Sequence, residues 1–401
     1  MPIPLTRRAT LLGLATVAIA GHTRLALASA PGEQRLVVIL LRGALDGMAA
    51  VVPYGDANLA RLRAPLIPEQ KSLLDLGGFF AFHPALTNLH ALYRKNEVLP
   101  VHAIAGPYRT RSHFEAQDLI QTGAGPAADQ TGINSGWLNR LIGELPSGGV
   151  AGRGLAVGMG MPLLLRGPER IGSYAPAGFA KPPPGLYAHI AALNRPDPVF
   201  GPAIAEGLRS ARFDHTTLDT AAMMGDSATH HPREHGFPAL ARAAGTLLAA
   251  QGGPRIAAFQ LEGWDTHGNQ MPVLHESLAN LDAGIAALRT ALGENWRTTT
   301  VLTITEFGRT ARVNGTRGTD HGTATVAFLA GGAVSGGKVR ATWPGLADRQ
   351  LFQNRDLAPT ADIRSLAKGV IAGQFGLEDV ALARIFPDSA AAAPMAGLLR
   401  T

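Results

Sequence analysis

The sequence predicts an α/β protein with a mostly parallel central sheet and helices on both faces of that sheet. Short apolar runs rich in branched residues alternate with longer segments of helical periodicity along most of the 401 residues. Acidic residues or histidines follow several of these runs, as they do at the carboxyl edge of a parallel sheet. Regular alternation of strands and helices places the connecting helices on both faces.

The composition is that of a packed globular protein. Hydrophobic residues make up 46% of the chain and charged residues 16%, which excludes a disordered tail or a nucleic-acid-binding arm. No stretch has the character of a linker, so we expect one domain over residues 29–401. The chain has no cysteine, and its stability must therefore come from the size of its core.

Residues 1–28 are predicted to be an export signal of the twin-arginine type. Arg7 and Arg8 precede an apolar stretch over residues 11–21, which is too short to span a bilayer comfortably. We expect cleavage after residue 28, with an uncleaved signal anchor as the alternative. This predicts a periplasmic or otherwise extracytoplasmic protein, exported by the twin-arginine machinery and not stably inserted in the membrane after signal removal.

The net charge gives no indication of a polyanionic partner. Removing residues 1–28 takes away three arginines and no acid, so the formal charge falls from +6 to +3. A charge this small does not favour nucleic acid or an anionic membrane as a partner.

The first predicted strand covers residues 35–41 and is a continuous apolar run suited to a position covered on both faces. Asp46 arrives just past its end, beside a glycine that allows close backbone approach. Two interpretations remain open: Asp46 is a metal ligand, or it belongs to an ordinary turn.

A second apolar run over residues 98–105 leads to Ser112 and Glu115, which together predict a capping box at the start of a helix ending near residue 121. A hydroxyl at a helix N-terminus also suits the binding of an anionic ester, because backbone N–H groups and the positive end of the helix dipole lie beside it. Arg109 and Arg111 would strengthen such an anion site. Both the capping and the functional interpretation of Ser112 stay open.

Residues 123–185 are rich in glycine and proline and are predicted to form loops and short strands over one end of the sheet, with a short helix near residues 136–144. Substrate selectivity would reside there. After a helical pattern over residues 198–227, a histidine cluster over residues 230–235 is interrupted by a proline. It indicates a solvated loop more than a metal site.

A third predicted strand over residues 255–260 is followed by Asp265 and His267, and then by a predicted helix over residues 273–292. In an extended segment, residues two apart share a face, so Asp265 and His267 could bind one metal ion. In the alternative interpretation, Asp265 caps the following helix and His267 is merely exposed.

Two further sets of candidate ligands lie near the last predicted strands. Glu306 follows the strand predicted over residues 298–305, and Asp320 and His321 precede the strand predicted over residues 325–330. Acids or histidines thus stand beside four strands. This favours one shared site, because the carboxyl ends of parallel strands lie at the same edge.

Six short motifs resemble the domain-of-unknown-function family 1501, whose members are exported bacterial proteins that often carry twin-arginine signals. The resemblance covers essentially the whole mature chain. It implies membership of the alkaline phosphatase and sulfatase superfamily, with a related α/β fold and descent from divalent-metal ester hydrolases. The motifs are RGALDG (42–47), VPYGD (52–56), GWDTH (263–267), TEFGRT (305–310), GTDHG (318–322) and WPGLA (343–347).

The resemblance also implies roles for individual residues. Asp46 resembles the superfamily's first metal-binding residue, and Ser112 stands where its Ser or Thr nucleophile opens a helix. Asp265 and His267 are similar to its Asp and His metal pair, and His321 is similar to its late histidine ligand.

The chain departs from the superfamily pattern at one strand end. Glu306 and Phe307 stand where superfamily enzymes usually have an Asp-His pair. One histidine ligand is therefore missing, unless Asp320 or another group substitutes for it.

The leading hypothesis is an extracytoplasmic metal-dependent hydrolase of phosphate or sulfate esters, with a small anionic ester as substrate and Zn, Mn or Ca as the divalent metal. Ser112 would attack, and Arg109, Arg111 and Arg309 would hold the non-bridging oxygens. The alternative is a non-catalytic periplasmic binding or assembly protein that retains the fold and part of the metal site. The expected metal ligands are Asp46, Asp265, His267, Glu306, Asp320 and His321.

Overall fold

The computed structural model describes residues 34–125, 133–145, 154–158, 160–175 and 236–400. Within this part the α/β prediction is confirmed, because strands form a mostly parallel central sheet with helices packed on both faces. None of the helices described there has both the length and the apolar character needed to cross a membrane. The predicted export signal, the helical pattern over 198–227 and the histidine cluster over 230–235 lie outside the described residues.

The described part contains two sheets. The central sheet has eight strands in the order β11-β5-β10-β9-β1-β8-β6-β7, and a small antiparallel sheet has the order β2-β4-β3. The strands are β1 (Arg35–Leu41), β2 (Val51–Val52), β3 (Leu74–Asp75), β4 (Ala81–Phe82), β5 (Val98–Ala105), β6 (Gly154–Val157), β7 (Ile171–Tyr174), β8 (Ile256–Leu261), β9 (Thr299–Thr305), β10 (Thr325–Ala330) and β11 (Ala361–Asp362).

One strand of the central sheet runs against all the others. β1 pairs in parallel with β8 and β9, β6 pairs in parallel with β7 and β8, and β11 pairs in parallel with β5. β10 is antiparallel to both of its neighbours, β5 and β9. The start of β10 therefore lies at the same edge as the carboxyl ends of the other strands.

Nine α-helices and five short 3₁₀ segments accompany the sheets in the described part. The 3₁₀ segments are Ala64–Leu66, Gln70–Ser72, Leu163–Leu165, Gly293–Thr298 and Asp348–Gln350. The α-helices are α1 (Gly47–Ala50), α2 (Leu59–Arg63), α3 (Thr87–Tyr93), α4 (His113–Thr122), α5 (Trp137–Glu144), α6 (Phe237–Ala249), α7 (Gln270–Leu292), α8 (Ile363–Phe375) and α9 (Asp379–Ile385).

The two faces of the sheet bury separate cores. Alternate residues of β1, beginning with Val37, pack in one core with α3, α6 and α7. The residues between them, beginning with Leu36, pack in the other core with α5, α8 and α9. Successive side chains of a strand point to opposite faces, so a strand covered on both sides must be apolar throughout. This explains the unbroken apolar run of β1.

Two local predictions are wrong. Ser112 is the N-cap residue of α4, but its side chain makes no capping hydrogen bond, and the Glu115 carboxylate instead accepts a hydrogen bond from the Tyr108 hydroxyl. The capping box therefore does not form. In the described part of the glycine-rich region over 123–185, β6 and β7 extend the central sheet beside β8, so these two strands do not lie over one end of it.

Candidate metal centre

Five side chains meet at the edge where the parallel strands end. Glu306 directly follows β9, and Asp265 and His267 lie in the loop that follows β8. His113 is the first residue of α4, which the chain reaches from the end of β5. His321 precedes β10 and reaches this edge because β10 runs in the opposite direction.

Three imidazoles and one carboxylate lie together around Nε2 of His321, and the ligand atoms of His113, Asp265 and His321 lie close enough to one another to hold one metal ion. The Nε2 atom of His321 lies 2.9 Å from Nε2 of His113 and 2.9 Å from Nε2 of His267. Asp265 Oδ1 lies 3.1 Å from Nε2 of His267 and 3.3 Å from Nε2 of His321, and its Oδ2 lies 3.5 Å from Nε2 of His113. We call these four residues the histidine–aspartate cluster.

The other ring nitrogen of each histidine is held by an oxygen that can only accept a hydrogen bond. Each Nδ1 must therefore carry the proton, and in a neutral ring Nε2 then presents its lone pair. Histidines that bind metals are oriented in this way by carboxylates and backbone carbonyls. The three hydrogen bonds run from His113 to Glu306 Oε1 (2.8 Å), from His321 to the carbonyl oxygen of Arg111 (3.1 Å) and from His267 to Asp320 Oδ1 (3.3 Å).

This donor set fits a divalent metal ion. One proton could join a single pair of facing Nε2 atoms, but Nε2 of His321 faces two others, and a divalent cation could accept a lone pair from each. In a tetrahedral zinc site with bonds of about 2.1 Å, the ligand atoms lie about 3.4 Å apart. The distances that join His321 and Asp265 to the other ligand atoms, from 2.9 to 3.5 Å, are close to that separation.

The pKa values of the two facing rings move in opposite directions. The hydrogen bond to Glu306 raises the pKa of His113. Burial lowers the pKa of His321, and the nearby charge of His113 acts in the same direction. The ring of His113 thus carries a proton more readily than the ring of His321, as expected when two like groups lie close together.

Glu306 lies behind His113 and not in the cluster itself. Its buried carboxylate accepts hydrogen bonds from His113, from the Gln117 side chain (2.9 Å) and from the backbone N–H of Gly43 (2.8 Å) on Oε1, and from Thr305 on Oε2 (2.8 Å). Burial opposes its ionisation, but these hydrogen bonds outweigh burial and lower its pKa. The sequence suggested a direct ligand, whereas the structure gives Glu306 the task of orienting His113.

Asp46 is also engaged elsewhere. Its carboxylate is 1% exposed and forms two hydrogen bonds of 2.9 and 3.0 Å with the guanidinium of Arg63, and it accepts a third from Gln270 at 2.6 Å. Burial opposes ionisation of Asp46, but the charge and hydrogen bonds of Arg63, together with the hydrogen bond from Gln270, outweigh burial and lower the pKa. Asp46, which was expected to be a metal ligand, is therefore neutralised by Arg63. Both of its carboxylate oxygens already accept hydrogen bonds.

The arginines expected to hold substrate oxygens have other partners. Arg309 is buried, and it donates to Asp265 Oδ1 at 2.6 Å and to the carbonyl oxygen of Thr319. It therefore fixes the carboxylate of the cluster from behind. Arg111 pairs with Asp356. Arg109 is exposed and donates through Nη1 to two backbone carbonyl oxygens of its own loop.

The start of α7 decides between the two interpretations of Asp265, as a metal ligand or as a helix cap. This helix begins at Gln270, and its N-cap residue is Asn269 in the left-handed conformation (φ 46°). Asp265 is therefore not a helix cap, and it is free to take part in the cluster. Asp320 accepts the hydrogen bond from His267 and so lies behind that ring, as Glu306 lies behind His113.

His113 is the residue that sequence reasoning missed. The resemblance implied that one histidine ligand was missing beside Glu306, and His113 fills that place through its hydrogen bond to this carboxylate. A signal was available, because His113 directly follows Ser112, at the start of a predicted helix reached from a strand of the same edge.

Comparisons with known proteins give one family and several distant structures. Residues 188–386 match the family described as "Protein of unknown function (DUF1501)", which confirms the family that the motifs predict. No curated protein matches the chain.

Among solved structures, the chain is similar to that of Ps i-CgsB in complex with k-i-k-neocarrahexaose (11% identity, 90% of this chain and 77% of that one, TM-score 0.44). It is also similar to a protein of the alkaline phosphatase superfamily from Vibrio parahaemolyticus (13% identity, 81% and 69%, TM-score 0.37). A third is the C-terminal periplasmic domain of EcEptC from Escherichia coli in complex with Zn (10% identity, 77% and 76%, TM-score 0.34).

Proposed function

We propose that this chain, a member of the DUF1501 family, is an exported metal-dependent hydrolase of phosphate or sulfate esters. The observation that supports the proposal is the grouping of His113, Asp265 and His321, whose ligand atoms can share one metal ion, with Nε2 of His267 2.9 Å from Nε2 of His321. When bound, a divalent ion supplies positive charge that neutralises ester oxygens and lowers the pKa of a hydroxyl group. Zinc is the metal we favour over Mn or Ca, because three of the four donors are imidazoles.

The residues behind the cluster hold its ligands in place, and one side of the cluster faces solvent. Glu306 and Asp320 hold the rings of His113 and His267 in the tautomer that presents Nε2. Asp265 has 44% of its side chain exposed, so its side of the cluster faces solvent and would face the substrate. The buried Arg309 keeps this exposed carboxylate in place.

We assign Ser112 as the nucleophile and Arg109 as the residue that holds ester oxygens. Ser112 directly precedes His113, and its hydroxyl caps no backbone amide of α4. Attack by its oxygen on phosphorus or sulfur would release the alcohol and leave a serine ester that water then hydrolyses. Arg109 lies three residues before Ser112 in the same loop and is exposed to an incoming anion.

A second function has an observation of its own. The cluster contains four side chains that can bind a metal, and structural zinc sites are closed by four protein ligands. The protein would then be a non-catalytic exported binding or assembly factor whose metal stabilises the loops at this edge. Its recognition surface would include the region over residues 123–185.

Export is part of both proposals. The paired arginines and short apolar stretch within residues 1–28 support transport through the twin-arginine machinery and a periplasmic location. Replacing Arg7 and Arg8 by lysine should retain the protein in the cytoplasm, which cell fractionation would measure. Unchanged export of that variant would contradict the twin-arginine route.

The deciding experiment combines metal analysis with an ester screen of the mature protein. We expect bound divalent metal in the native protein, and hydrolysis of aryl phosphate or sulfate esters that Ser112→Ala abolishes while metal remains. Ser72→Ala is the control, since Ser72 is exposed and bonds only Glu69. Metal without hydrolysis across the screen would favour the structural alternative. No metal after loading with Zn, Mn and Ca would reject both proposals.

A further inference from the structure

We infer that Arg111 is a positioning residue that prepares His321 for the metal through its backbone carbonyl. This inference rests on the proposed metal-binding function and concerns how the protein builds that site. The guanidinium of Arg111 is tied to Asp356, and this attachment fixes the carbonyl of the same residue against the ring of His321.

The carbonyl contact determines which nitrogen of His321 faces the cluster. The carbonyl oxygen of Arg111 lies 3.1 Å from Nδ1 of His321 and can only accept a hydrogen bond. It therefore selects the tautomer in which Nδ1 is protonated and Nε2 is free for the metal. Carboxylates hold the other two rings, so His321 is the histidine of the cluster that depends on a backbone group.

The backbone at Arg111 has to adopt an uncommon conformation to make this contact. Its φ angle is 64°, in the left-handed region that residues other than glycine, asparagine and aspartate seldom adopt. A conformation of this kind persists only when surrounding contacts enforce it. The side chain of Arg111 supplies such contacts.

The side-chain anchor of Arg111 is strong and largely buried. Its Nε and Nη2 atoms lie 2.9 and 2.7 Å from Oδ2 of Asp356, and Nη2 also donates to Gln353 at 2.6 Å. Asp356 has no solvent exposure, and its Oδ2 accepts a further hydrogen bond from Thr323 at 2.8 Å. A charged hydrogen bond to a carboxylate this deeply buried is costly to break.

The two halves of Arg111 therefore act in different places. The guanidinium binds the segment around Asp356, whereas the carbonyl binds the ring of a cluster histidine. Removing the side chain takes away no atom that touches the cluster. We nevertheless expect it to weaken metal binding, because loss of a group that orients a ligand typically costs about 10- to 100-fold in metal affinity.

The test measures the affinity of the full mature protein for Zn²⁺ by competition with a chromophoric chelator. We expect Arg111→Ala and Asp356→Asn to bind Zn²⁺ roughly 10- to 100-fold more weakly than the native protein. Arg111→Gly should lie between Arg111→Ala and the native protein, because glycine adopts a φ of 64° without steric cost. The visible spectrum of the Co²⁺-loaded protein should change in Arg111→Ala.

The control variant is Arg384→Ala, which removes a more exposed arginine–carboxylate pair, between Arg384 of α9 and Glu144 of α5. Its Zn²⁺ affinity and Co²⁺ spectrum should equal those of the native protein. Arg111→Gly and Asp356→Asn provide the same test if Arg111→Ala does not fold, as judged by circular dichroism.

The outcomes separate this inference from the proposed function. Tight Zn²⁺ binding by the native protein and equally tight binding by Arg111→Ala would overturn the role of Arg111 alone. Weaker binding by Arg111→Gly than by Arg111→Ala would also overturn it, because the side chain would then act by a route other than the backbone conformation. Absence of Zn²⁺ binding by the native protein would reject the proposed function as well.

Discussion

The backbone of Gly43 packs directly against the backbone of Asp265. A Cβ atom at Gly43 would stand 2.5 Å from the backbone nitrogen of Asp265, and the φ angle of Gly43 is 119°. The N–H of Gly43 also donates to Glu306. The loop after β1 thus contacts both the aspartate of the cluster and the carboxylate behind His113. The conformation of this loop therefore affects where Asp265 and Glu306 lie.

Replacing Gly43 by alanine should damage both stability and metal binding. The added Cβ would push the backbone of Asp265 away and would also hold an alanine at a φ that L-residues rarely adopt. Strain of this kind costs about 1–3 kcal/mol before the clash is counted. Gly263→Ala is the control, because its φ of 96° imposes a similar strain while a Cβ there meets no atom within 4 Å. Thermal unfolding and metal content would be compared, and equal metal content in the two variants would contradict the role of the contact.

The centre should bind one divalent ion per chain. The superfamily resemblance would allow a second ion near Asp46, but Arg63 and Gln270 already occupy that carboxylate. Elemental analysis should give one equivalent for the native protein and markedly less for His113→Ala, because His113 is one of the three residues, with Asp265 and His321, whose ligand atoms can share one ion. Two equivalents per native chain, or full metal content in His113→Ala, would show that the ligand set is wrong.

Asp46 should contribute to folding and not to metal binding. Breaking a buried ion pair by removing one partner costs about 3–5 kcal/mol, because the remaining charge stays buried without compensation. Asp46→Asn would leave Arg63 in that state, so the unfolding free energy from chemical denaturation should fall by about that amount. The folded variant should still hold one ion. Loss of the ion with unchanged stability would restore Asp46 as a ligand.

Much of the fold followed from local sequence patterns. The strands predicted over residues 35–41, 98–105 and 325–330 match β1, β5 and β10, because a continuous apolar run of six to eight residues suits a strand buried on both faces. The prediction that acids and histidines meet at one edge needed only the parallel direction of most strands. His321 joins them for a different reason, since it precedes a strand that runs in the opposite direction.

The details of the site depended on contacts between distant parts of the chain. Nothing near Asp46 in the sequence indicates that Arg63 will neutralise it, and Arg309 follows Glu306 by three residues but donates to Asp265. The role of Arg111 was hidden for another reason. Its contribution comes from the carbonyl group, and a backbone carbonyl has no signature in an amino-acid sequence.

His102 should make the protein less stable in acid. It lies in β5 with no solvent exposure, where its Nε2–H donates to the carbonyl oxygen of Val51 and its Nδ1 accepts the N–H of Ala103. The ring is therefore satisfied as a neutral group, and burial lowers its pKa from 6.5 to about 4.

The direction of the pH effect follows from this lowered pKa. Above pH 6.5 the ring is neutral in both the folded and unfolded states, so it costs nothing. Between pH 6.5 and about 4 the unfolded chain binds a proton that the folded chain does not, so the free energy of unfolding decreases as the pH is lowered. At 1.36 kcal/mol for each pH unit, the total loss of unfolding free energy approaches about 3 kcal/mol.

Chemical denaturation of the native protein and of His102→Gln between pH 7.5 and 4 would measure this loss. Both proteins keep the same histidine–aspartate cluster, so the difference between them isolates His102. His102→Gln should be the less stable protein at pH 7.5, and its disadvantage should shrink in acid. Parallel pH dependences would contradict a neutral His102.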